Sequence, residues 1–190
     1  SLTGAGGAFV PGEQQPLVNL LVGGLAIYPE MAGENLTQTF TPAQDQWLGY
    51  LQLPVGCAAG VLLNLKIRDG LAGPILYEAN HAGLAGIAFG TFQLLQVFDP
   101  AVTPQGISLQ GGHTYAFELA AFAGPGATGN SCGIARGPSG NLYAGGRGFY
   151  RDPINGTPWF PIPSGASTDD EDLPFITLVQ PRSVSSPLTA

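Results

Sequence analysis

Turn residues punctuate this chain roughly every 10 to 20 positions, and between them no amphipathic helical pattern survives three full turns. A chain broken that often can bury apolar surface only as short strands packed in layers. The segments between turns carry the matching period. From 62 to 68, Leu63, Leu65 and Ile67 alternate with Asn64, Lys66 and Arg68, as in a strand with one face on a core. Asp69-Gly70 supplies a turn, and 75–78 returns. Further strands are predicted at 38–42, 47–53, 88–98, 114–122, 133–135 and 173–179, with 17–22 apolar on both faces, as in a strand buried on both sides. The fold class that follows is all-β: an antiparallel β-sandwich, read as a jelly roll. Residues 1–35 form an extended N-terminal arm, 36–180 the sandwich and 181–190 a C-terminal tail.

Composition agrees. Gly 29 and Pro 17 together make about a quarter of 190 residues, yet the apolar fraction of 44% and mean hydropathy of +0.18 exclude a disordered chain. Charged residues are only 10% of the chain, which implies an exterior tolerant of association. A net charge of −7 with six scattered basic residues excludes a nucleic-acid footprint and a polybasic membrane anchor. The longest apolar stretch, 17–27, is too short to span a bilayer, so no membrane insertion is expected. Cys57 and Cys132, without a CxxC spacing, are expected to form one disulfide, which points to an oxidising, extracellular or cell-surface location. Ser1 then reads as the residue left when a signal peptide is removed.

The stretch 141–150 holds three glycines, Arg147, and the large side chains Leu142, Tyr143, Phe149 and Tyr150. Its glycines fit a chain that bends sharply or admits another backbone closely. Gln38-Thr39-Phe40-Thr41-Pro42, Leu65 to Gly70 with Ile75-Leu76-Tyr77, Leu109 to Leu119, Tyr143 to Arg147 and Asp172-Leu173-Pro174-Phe175 together resemble the strands of exported bacterial jelly-roll modules. The resemblance covers roughly 36–180. It implies a carbohydrate-binding or cell-surface domain and leaves the arm outside.

Several motifs bear on chemistry. Gly129-Asn130-Ser131-Cys132-Gly133 matches G-x-S-x-G, but no helical pattern follows to make a nucleophile elbow. Nor does any base–nucleophile or paired-carboxylate arrangement stand out, so the chain reads as no enzyme, with no cofactor. His81 and His113 lack the company a transition metal needs. The acidic run Asp169, Asp170, Glu171 and Asp172 suits either a structural Ca²⁺ or a solvated loop. Trp159, Tyr150, Tyr143, Arg147, Asp152 and Asn155 have the makings of a glycan site: flat rings for sugar C–H groups and polar side chains for hydroxyls. Aromatics packed on prolines would give the same composition. Asn35-Leu36-Thr37 and Asn155-Gly156-Thr157 fit the glycosylation sequon at Asn35 and Asn155.

Two functions follow as expectations. In the first, the chain is a structural subunit whose partners are copies of itself. Its arm, through Phe9, Val10, Leu17, Val18, Leu20, Leu21, Val22, Leu25 and Ile27, enters the sheet edge of a neighbour and propagates head-to-tail into a filament or sheath. The arm folded back onto its own sandwich is the other outcome. In the second, the chain is a carbohydrate-binding module.

Overall fold

The computed structural model describes residues 3–4, 7–20, 23–29, 35–88, 90–138, 140–151, 159–162 and 171–182. In chain order the strands are β1 (Thr3–Gly4), β2 (Gly7–Ala8), β3 (Val10–Gln15), β4 (Gly24–Ile27), β5 (Asn35–Phe40), β6 (Gln46–Leu53), β7 (Val55–Cys57) and β8 (Val61–Arg68). They continue with β9 (Ile75–His81), β10 (Gln93–Gln96), β11 (Ile107–Leu109), β12 (Tyr115–Ala123), β13 (Cys132–Ala135), β14 (Gly148–Arg151), β15 (Phe160–Pro161) and β16 (Phe175–Pro181). No α-helix occurs among the described residues, and every ladder between these strands is antiparallel.

Two large sheets carry the fold. One runs β10-β6-β16-β3, with β11 also on β6; the other runs β15-β14-β5-β12-β8-β9. The pairing is nested: β3 with β16, β5 with β12, β6 with β10, β8 with β9. Inward residues of the six-stranded sheet, among them Phe40, Leu65, Ile67 and Phe117, share one core with Leu48, Leu51, Leu53 and Phe175 of the other sheet. The Phe117 and Phe175 rings meet edge to face with centroids 5.5 Å apart. A third sheet, β4-β13-β7, contributes Ile27, Val55 and Ile134 to the same core. There Cys57 and Cys132 stand directly opposite in the β7–β13 ladder and form the expected disulfide.

The arm lies in the chain's own sheets. Phe9 is buried against Tyr50 and Phe98, with ring centroids 5.2 and 6.3 Å away, and Ile27 is in the core. Strand β3 was not legible because it contains Pro11, but it is an edge strand, where a missing N–H is tolerated. The 17–22 segment, expected as a strand buried on both sides, is corrected: 17–19 is irregular, and Leu17 and Leu20 are 57% and 58% exposed. Gly23, at φ +81°, turns the chain, and the strand begins at Gly24 instead. The 88–98 strand shrinks to β10, since a turn from Ala88 O to Thr91 N and Gly90 at φ +108° interrupt it.

Close backbone approach explains the glycine-rich stretch. A Cβ on Gly146 would sit 1.9 Å from the Thr39 carbonyl oxygen. On either side, Thr39 N donates to Arg147 O at 3.0 Å and Arg147 N donates to Thr39 Oγ1 at 2.9 Å.

Candidate binding face

Strand parity sorts the six-stranded sheet into two faces. Leu63, Leu65 and Ile67 of β8 point to the core, so Asn64, Lys66 and Arg68 point out; β12 turns Ala116, Glu118, Ala120 and Phe122 the same way. Register then aligns these residues across the strands. Glu78, Lys66, Glu118, Thr37 and Phe149 form one row, through consecutive pairs from β9 to β14. Asn80, Asn64 and Ala120 begin a second row, and one step beyond the Leu119–Leu36 pair Asn35 and its β14 partner Arg151 extend its line. Two polar rows therefore cross the sheet at right angles to its strands.

A hollow of about 510 Å³ opens over the β9–β8–β12 part of these rows. Its lining includes Asn64, Glu78, Asn80, Ala120, Phe122 and Pro29. Asn64 Nδ2 donates to Glu78 Oε1 at 3.1 Å and to Asn80 Oδ1 at 2.9 Å, which fixes the amides without burying them. Ala120 leaves the floor low, and Phe122, 52% exposed, offers an unshielded ring beside it. Further along, Asn35 is wholly buried and neither its amide nitrogen nor its oxygen has a hydrogen-bond partner among the described residues; Thr37 Oγ1 is in the same state. Such groups ordinarily cost stability and call for a functional account.

The residues expected in a glycan site are dispersed. Trp159, half-buried, comes to this outer face: its ring lies 4.7 Å from Arg151 Cζ. Tyr150 points to the inner side and packs on Phe160, centroids 5.8 Å apart. Tyr143 is structural: its hydroxyl accepts Thr41 N at 3.2 Å, its ring meets Phe175 at 5.1 Å, and burial pushes its phenol up to about 12. Arg147 is held through its backbone to Thr39. Asp152 and Asn155 lie outside the described residues. Asn64, Asn80, Glu78 and Phe122 were not singled out from sequence, since they read there as the ordinary solvent side of alternating strands.

Other candidates are occupied. Glu171 takes Arg136 through both carboxylate oxygens, with Arg136 Nη2 at 2.6 Å. Asp172 accepts Gln38 Nε2 at 3.0 Å and Tyr143 N at 2.8 Å, and burial raises its carboxyl above the usual range. Both carboxylates are thus engaged by N–H donors, and no group of three metal ligands occurs among the described residues; Asp169 and Asp170 of the calcium reading lie outside them. Asn35 is fully buried between β12 and β14, so this fold has no room for a glycan on it, which corrects that sequon. Ser131 precedes the extended strand β13, so the nucleophile-elbow geometry does not form. His113 pairs with Asp69, and His81, its pKa lowered by burial, ends β9. Compared with known families and curated proteins, the chain matches no family model and no curated sequence.

Proposed function

We propose that this protein is a non-enzymatic, extracellular binding module of jelly-roll winding that recognises a glycan on the outer face of its six-stranded sheet. The nested strand pairing supports the winding, and the single disulfide supports the location. The observation that carries the reading is the hollow in which the Asn64 and Asn80 amides and the Glu78 carboxylate flank an exposed Phe122. Amides and a carboxylate address sugar hydroxyls as donor and acceptor, while an aromatic face takes the ring's C–H groups. The test is a glycan array probed with the full chain, with Asn64→Ala and with Phe122→Ala. Wild-type binding lost in both folded variants supports the reading; absence of binding across the array, or binding indifferent to both changes, refutes it.

Self-association is the second reading, and the open edge of β9 favours it. Among the described residues this strand pairs only with β8; it contains neither proline nor lysine and leaves Ile75 and Leu76 45% and 43% exposed. Donation of the arm is less supported, because Phe9 and Ile27 are already seated at home. Light scattering at increasing concentration should find large species that Leu76→Lys abolishes. A wild-type chain that stays monomeric refutes this reading.

A further inference from the structure

On the outer face one carboxylate gathers three cations. Glu118, 1% exposed in β12, accepts Arg68 Nε at 2.5 Å and Arg151 Nη2 at 3.0 Å, with Lys66 Nζ 3.7 Å away. Arg68 and Lys66 come from β8 on one side of β12, and Arg151 from β14 on the other, beyond β5. With water excluded, a guanidinium bound to a buried carboxylate is held firmly in one orientation. Arg151 passes that order outward, since the ring of Trp159 lies 4.7 Å from its Cζ. A fixed guanidinium is a flat cationic plate on which an indole face settles; a lysine would offer only a point charge.

We propose that Glu118 is the positioning residue for Trp159: through Arg151 it sets the indole at the β14 side of the binding face, although it is itself too buried to touch a ligand. The effect on affinity rests on the glycan reading, whereas the placement of the ring does not. Lys66 and Arg68 brace the carboxylate from the opposite side, so β12 ties the face together across the sheet.

The test uses the indole itself. Trp47→Phe leaves Trp159 as the sole tryptophan of the two in the chain, so its emission and its quenching by acrylamide report its surroundings with no ligand present. In that background Glu118→Gln should red-shift the emission and steepen the quenching. Because Glu118→Gln also takes the Glu118 carboxylate from Arg68 and Lys66, Arg151→Lys is the second variant: it keeps the charge and the other partners of Glu118 but removes the plate. It should loosen Trp159 likewise, while Arg68→Lys should leave it in place. Unchanged Trp159 emission in folded Glu118→Gln overturns the assignment, and so does unchanged emission in folded Arg151→Lys, whether or not Glu118→Gln folds. On the glycan array both loosening variants should lose roughly three- to tenfold in apparent affinity, the cost of ordering one freed side chain. Trp159 loosened in a protein that binds no glycan sinks the glycan reading alone. Glycan binding with Trp159 unmoved in both variants sinks the positioning role alone.

Discussion

Phe9→Ala decides whether the N-terminal arm belongs to this domain or is held ready for another copy. Phe9 is 9% exposed and lies over Gly49 so closely that a Cβ there would come 2.2 Å from its Cε1. Deleting the ring uncovers on the order of 100 Å² of apolar surface, about 2.5 kcal/mol at 25 cal/mol/Å². Loss of its perpendicular contact with Tyr50 adds ~0.5 kcal/mol. The expected loss is therefore about 3 kcal/mol, read as a lower urea midpoint with unchanged slope and a Tm lower by roughly 6 to 12 °C. Gly49→Ala should act on the same contact by expelling the ring. In the Phe9→Ala background it should cost at least ~1 kcal/mol less than in the wild type. A seat within the same chain also makes Tm independent of protein concentration, whereas an arm seated in a second copy would make it rise. Phe9→Ala within ~0.5 kcal/mol of wild type, or a Tm that climbs with concentration, would refute the argument.

Replacing both Cys57 and Cys132 with serine should cost about 4.5 kcal/mol in the chain-entropy account, because the bridge spans 75 residues; urea unfolding of the double variant measures it. Tyr143, neutral in its buried seat, has a folded pKa of about 12 against 10.0 unfolded, so its contribution is full below pH 10 and lost as pH rises through about 12. Ultraviolet titration should show Tyr143 among the late-ionising tyrosines, beside Tyr77, whose phenol burial also raises, and Tyr143→Phe should remove one such step and reduce that loss. Gly146→Ala should destabilise by at least ~2 kcal/mol, since the Thr39 carbonyl must move aside. A thermal midpoint equal to wild type would disprove the close approach.

Alternation made the central strands legible. Leu63, Leu65 and Ile67 mark β8 and Tyr115, Phe117 and Leu119 mark β12, because period-2 patterning is local and survives in one sequence. The stretch from Leu17 to Val22 was misread for the same reason: apart from Asn19 it is apolar, and composition alone cannot say that the Asn19–Arg136 backbone bond holds 17–19 outside a sheet. The candidate face was less visible still. Asn64 and Asn80 stand 16 positions apart, and Asn35 is further away; only the registers of the β9–β8, β8–β12 and β12–β5 ladders, the last ending one step before Asn35 at Leu119–Leu36, bring them toward one row. Trp159 was found by its composition, but its partner Arg151 was not, since contact between them depends on where β14 joins β5.

The nesting of the strands has a consequence for how the molecule is made. Gln15 has no ladder partner until Phe175 exists, about 160 positions later, so the outermost hairpin closes last. During synthesis β3 must wait with its apolar neighbours exposed, and the sandwich can shut only once β16 slides between β6 and β3. A nascent chain stalled before Phe175 is thus an open half-clam, the form most vulnerable to proteases and to pairing with the wrong edge.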